Sequence, residues 1–205
     1  MLVRSEIVKK YLKLLGIAIM MILFIPRTYA LDLAMAGDSI TQEGEYDSIR
    51  LAAGNNVTLE GSAPYGFYAG NTINFNEKIT RDAFVAGNSI VIDSDAIIGR
   101  DLFIAGEDVT IKTTIGRNLH AGAGSIDLRG AIIMGDSYID ADKIIMDNET
   151  KITGKLSYLE DANVSGLNKD NIGSIKTHKS NSVAVEIKPD AIPQALDFGL
   201  RKSKL

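Results

Sequence analysis

One short phrase recurs along this chain: an Ala-Gly step, two polar residues, then an apolar–any–apolar triplet. It reads Ala36-Gly37-Asp38-Ser39-Ile40, Ala53-Gly54-Asn55-Asn56-Val57-Thr58-Leu59 and Ala69-Gly70-Asn71-Thr72-Ile73-Asn74-Phe75. It returns as Ala86-Gly87-Asn88-Ser89-Ile90-Val91-Ile92 and Ala105-Gly106-Glu107-Asp108-Val109-Thr110-Ile111. The first apolar residue of the triplet falls at 40, 57, 73, 90 and 109, with weaker copies at 126 and 144, in steps of 16 to 19 residues. A fixed period of this size marks a repeat architecture and decides the fold before any local reading does. It is too short for a helical pair and suits one turn of a coil of short strands.

Within each copy the apolar residues alternate with polar ones, as in Val57/Leu59 and Val109/Ile111. Period two puts both on one face of an extended strand. A lone strand cannot hide that face. Stacked copies bury a continuous apolar column and pair each backbone with the next. Two further short strands are expected in each period. One is Ala83-Phe84-Val85, matched by Leu102-Phe103-Ile104, Leu119-His120-Ala121 and Tyr138-Ile139-Asp140. The other ends in Gly: Ile97-Ile98-Gly99, Thr114-Ile115-Gly116, Ile133-Met134-Gly135 and Ile152-Thr153-Gly154. Three short sides per turn describe an all-β fold, a triangular single-stranded β-helix of about seven rungs, roughly 30–35 Å long at the inter-strand spacing. The steps are too loose for the strict hexapeptides of left-handed coils, so a right-handed coil is expected. No proline lies between Pro64 and Pro189, which suits uninterrupted ladders.

Both ends read differently. Arg4, Lys9, Lys10 and Lys13 precede the apolar run Leu14–Ile25, which is 12 residues long and too short to span a bilayer comfortably. Pro26 and Thr28-Tyr29-Ala30 follow. This is the layout of a secretory signal over residues 1–30, with cleavage between Ala30 and Leu31. The β-helix is expected over 31–166. Residues 167–205 read as a basic, partly ordered tail carrying one candidate strand, Val183–Ile187. No apolar stretch near the end is long enough for a membrane helix.

The formal charge of −4 conceals a division. Residues 31–166 hold ten basic and 21 acidic residues, net −11, whereas 167–205 is net +3. An acidic rod repels nucleic acid, so nucleic-acid binding is not expected. With no cysteine, disulfides and thiol chemistry are excluded.

Candidate chemistry is sparse. His120 invites comparison with the general-base histidine of β-helix acyltransferases. Its register over Phe103 and Phe84 instead places it in an outer aromatic stack. His178 lies in the tail and is assigned no role. The densest carboxylates, Asp93/Asp95, Asp136, Asp140/Asp142 and Asp147, lack calcium-coil or EF-hand spacing and read as turn residues. No catalytic set, cofactor site or metal site is expected. Arg81, Arg100 and Arg117 recur at one point of the period. They read either as a ladder for a polyanion or glycan, or as corner residues paired with neighbouring carboxylates, and the second is expected.

The rungs Thr80-Arg81-Asp82-Ala83-Phe84-Val85-Ala86-Gly87, Gly99-Arg100-Asp101-Leu102-Phe103-Ile104-Ala105-Gly106 and Ile115-Gly116-Arg117-Asn118-Leu119 resemble the repeats of bactofilins, the polymer-forming bacterial cytoskeletal family. Thr153-Gly154-Lys155-Leu156-Ser157-Tyr158 resembles the closing segment of exported relatives. The resemblance covers residues 36–166. It implies a right-handed triangular β-helix that joins end to end into filaments, scaffolds envelope components and has no enzymatic activity. Typical bactofilins are cytoplasmic, so location is not carried over. Three functions follow in order of expectation: a self-associating structural protein of the cell envelope, a module binding a glycan or an envelope protein, and a β-helix acyltransferase or carbohydrate-active enzyme. Mass spectrometry of the exported protein should find Leu31 at its start; a retained Met1 would refute cleavage.

Overall fold

A computed structural model describes residues 34–180 of the chain. Ala30, Leu31, the rest of the expected signal and the candidate strand Val183–Ile187 lie outside the described residues. The fold is all-β, a solenoid of about eight turns in which every strand pairing is parallel. The long strands are β1 (Ala34–Gln42), β2 (Ile49–Ala63), β3 (Tyr65–Ile79), β4 (Ala83–Ile92), β6 (Leu102–Ile111), β8 (Leu119–Asp127), β10 (Ser137–Ile145) and β11 (Lys151–Leu159). Two-residue strands β5 (Ile97–Ile98), β7 (Thr114–Ile115) and β9 (Ile132–Ile133) form another side of the coil. The described chain closes with β12 (Asn163–Ser165) and β13 (Ile172–His178).

The repeated triplets stand in one register. Ile40 pairs with Val57, Val57 with Ile73, Ile73 with Ile90, Ile90 with Val109, Val109 with Ile126, and Ile126 with Ile144. Val164 of β12 adds an eighth member above Ile144. Two of the three expected sides run together in one long strand. Its corner follows the Ala-Gly step: pairing lapses at Asn71/Asn88 between β3 and β4 and at Gly87-Asn88/Gly106-Glu107 between β4 and β6. From Gly54 to Gly106 glycine is needed there because the backbones nest, a Cβ on Gly87 sitting 2.6 Å from the Gly70 carbonyl oxygen, whereas Ala123 and Ala141 hold the same register in the next two coils.

Two alignments differ from expectation by one residue. Tyr138 pairs with His120, so Ser137-Tyr138-Ile139 continues the outer-face triplet and not Tyr138-Ile139-Asp140. Ile133 pairs with Ile115, not Thr114. Coils of unequal length defeat alignment by eye, and burial decides the register. Ser137 and Ile139 face inward and Tyr138 outward. The coil also runs past the boundary expected at 166. β13 pairs with β11 through Ile152–Ile172 and Leu156–Ile175.

The interior is built from stacked identical positions. Ile79, Ile98, Ile115, Ile133 and Ile152 form one column, each fully buried. Burying one such side chain stabilises the fold by about 1.5–3 kcal/mol.

The first coils break this rule. Arg50 and Glu77 are fully buried inside the coil. Arg50 Nη1 donates to Glu77 Oε1 at 2.7 Å and to the Glu60 carbonyl at 2.7 Å, while Nε donates to Gln42 Oε1 at 2.9 Å. Tyr68 donates its hydroxyl to Glu77 Oε2 at 2.5 Å. The Tyr46 ring packs 4.5 Å from the guanidinium. Gly66, in the Arg50 column, makes room, since a Cβ there would collide with the Tyr68 ring. Burial pushes the Glu77 carboxyl above its usual range, against the bonds from Tyr68 and Arg50. Burial, then the Glu77 charge, pushes the Tyr68 hydroxyl up, so it stays a donor. Removing one partner leaves a buried charge uncompensated. Arg50→Met or Glu77→Leu alone should cost about 3–5 kcal/mol in denaturant unfolding, with much of it recovered in the double variant. Additive losses would show that the two are not coupled.

Candidate functional site

Two places on the coil bring functional side chains together: the outer corner predicted from sequence and the C-terminal end. At the corner, Arg117 Nε donates to Asp101 Oδ1 at 2.6 Å, and Nη2 bonds to the second carboxylate oxygen. Arg100 Nε lies 3.6 Å from Asp82. Arg81 has a different partner, donating to the Tyr65 hydroxyl at 3.0 Å with its guanidinium over that ring. Asp101 also accepts from the Asn118 backbone and side-chain amides. The Arg117 bonds hold the Asp101 carboxyl below its usual range. Asp101 therefore adds stability above the ordinary carboxylate pKa, and that contribution is lost as pH falls through its lowered value. The three arginines share one edge, and two of them are engaged by carboxylates of neighbouring coils.

Of the acidic residues noted in the sequence, Asp93 and Asp147 serve turns and Asp136 bonds the next coil, whereas Asp140 and Asp142 lie within β10 and not in a turn. Asp93 accepts from the Ser94 amide, Asp136 from Lys155, and Asp147 from Gly130, Glu149 and Thr150. Among the described residues, no group of three or more His, Cys, Asp or Glu is arranged to hold a metal ion.

His120 sits where its register placed it. Phe67, Phe84, Phe103 and His120 form a continuous outer stack with centroids 4.6–4.8 Å apart and planes within 6°. The stack continues in sequence as Tyr138 and then Ser157. Ser157 is small and leaves the face of Tyr138 open. His178, from β13, covers it at 4.5 Å. His178 Nε2 is 2.6 Å from Asp140 Oδ1 and Nδ1 is 3.1 Å from Ser157 Oγ. One imidazole thus ties β10, β11 and β13 together. Sequence reasoning missed this set because its members lie 17 and 21 residues apart and His178 falls beyond the clear repeat. The residues are those of a hydrolytic triad, but Ser157 is only 6% exposed. A nucleophile needs room for a substrate carbonyl beside it. The geometry that is present fastens the last strand.

That last strand carries an unfinished core. Ile175 lies in register above Leu156 and Ser137, in the inward column that also holds Leu119 and Leu102. Leu102, Leu119 and Leu156 are fully buried, whereas Ile175 is 36% exposed. Gly173 through Thr177 are all exposed. β13 pairs with β11 on one side and with no described strand on the other. At the opposite end, β1 pairs with β2 and with no other described strand.

Comparison of the chain with known protein families, curated proteins and solved structures gave no match. His178→Ala removes one ring stack, about 0.5–1.5 kcal/mol, and two polar contacts of about 1 kcal/mol each. Amide exchange in β13 should then speed up at least tenfold, with β4 and β6 unchanged. Equal exchange in both proteins would rule out the fastening role.

Proposed function

We propose that the chain is a non-enzymatic structural protein of the bacterial cell envelope that associates through the ends of its coil into a polymer or scaffold. The observation that carries this reading is Ile175. It occupies a core register and is exposed because no described rung lies above it. An open parallel edge offers unpaired N–H and C=O groups, and an open rung face offers apolar side chains. A second copy supplies both. The bactofilin-like rungs between Thr80 and Leu119 support the same reading, as does the export signal expected over residues 1–30.

The outer aromatic column supports a structural role over a sugar-stacking one. Its rings lie face to face, so their faces are already used and only edges point outward. CH–π contact with a sugar needs a free ring face.

Negative-stain imaging and sedimentation of the processed chain test the proposal. Concentration-dependent filaments or end-on oligomers are expected. Ile175→Lys places a charge on the open core column and should raise the concentration needed for assembly at least tenfold while leaving the β-sheet circular dichroism intact. A strict monomer across concentrations and buffers would overturn the reading.

A further inference from the structure

The Ala-Gly step and the apolar triplet of each repeat are explained by nesting and burial. The two polar residues between them are not. In coils two to four they are Asn, Thr and Ser, and the parallel register arranges them as ladders. Asn55, Asn71 and Asn88 stand at successive corners, all exposed. Asn56, Thr72 and Ser89 pair in line beside them, and Thr58 and Asn74 extend the surface by one more column. Among the described residues, none of these eight side chains takes part in a hydrogen bond, ion pair or ring contact.

The stripe is uncharged and its border is not. Asp38 precedes it in coil one, and Glu107 and Asp108 replace the polar pair in coil five. Glu60 and Asp93 flank it. Around the corner run Ala53, Ala69 and Ala86, a ledge of small apolar side chains in the same register. We infer that this stripe is a docking surface for an uncharged, hydroxyl-bearing glycan chain running along the coil axis.

Three features select that partner. Amides and hydroxyls each donate and accept, as sugar hydroxyls do, and an uncharged surface gives up its water at lower cost than a charged one. Rungs about 4.8 Å apart, with columns roughly 6.6 Å apart along a strand, let an extended polymer repeat one contact at each coil, so weak bonds add through multivalency. The bordering carboxylates repel an anionic polymer, and a cationic one would gather on the border instead of the stripe. The alanine ledge accepts the apolar C–H side of a sugar without a ring face. The inference concerns the side of the coil and does not depend on what its ends do.

Retention of the processed chain on insoluble cellulose and on chitin, and its retardation in gels containing hydroxyethyl cellulose, test this. Binding to at least one of these, insensitive to added salt, is expected. Asn71→Glu with Thr72→Asp copies the Glu107-Asp108 pair that coil five already accommodates at the same register, and should weaken retention at least tenfold with the fold intact. Glu107→Asn with Asp108→Ser lengthens the stripe and should strengthen it several-fold. No retention on any of the three, retention abolished by salt, or equal retention of both variants would overturn the inference. So would lateral dimerisation without glycan that the Asn71→Glu/Thr72→Asp variant abolishes, since the occupant would then be a second copy. A chain that is retained yet never forms end-on oligomers would sink the polymer reading alone.

Discussion

Parallel stacking in register is the constraint on which the rest of this structure depends. Each coil lays its backbone on the one below, so a residue's environment is set by whatever occupies the same place one turn away. An isoleucine in the Ile79–Ile98–Ile115 column is buried above, below and inward. No single coil could provide that burial, which is why the repeat, and not any one strand, is the unit that folds. The same constraint explains the corner glycines: nested backbones leave no space for a Cβ at Gly54, Gly70, Gly87 and Gly106.

A stack has ends, and the two described here differ in chemistry. Near the first coils the interior is closed with a polar plug. Arg50, Glu77, Tyr68 and Gln42 bond to one another through all but the buried Arg50 Nη2, and Tyr46 packs on the guanidinium. At the far end the core column simply continues to Ile175. His178 fastens the strand that bears it, which keeps β13 in register while no described strand pairs with its outer edge. A fastened strand with an open edge has already met its ordering cost, so it is better prepared for addition than a frayed one.

Much of this was legible in the sequence, for one physical reason. Residues that stack must resemble one another, and resemblance is what a period reveals. The triplets from Ile40 to Ile144 therefore named their own partners, and His120 could be placed over Phe103 without a structure. What was not legible breaks the resemblance. Arg50 shares a column with Gly66 and Ala83, so no repeat announces it. Ile175 sits above Leu156, but the Ala-Gly phrase is gone by then and the strand reads as part of a basic tail. Tyr138 stands one residue from the place an even period gives it, because the coils differ in length. His178 meets Tyr138 across an intervening coil, a contact that no periodicity encodes.

The same reasoning separates what the repeat must hold from what it is free to vary. Inward columns and nested corners leave little choice: apolar residues within, and at the bend glycine or, at Ala123 and Ala141, alanine. Outward positions carry no such demand, and any polar residue would keep the coil soluble. The chain nevertheless spends its acidic excess elsewhere, and over three consecutive coils it holds the polar pair to amides and hydroxyls before changing to Glu107-Asp108 at the fifth. A pattern that folding does not require, begun and ended within a continuous stack, is where a surface requirement would show. In a solenoid the inside records how the chain folds, and departures on the outside record what it meets.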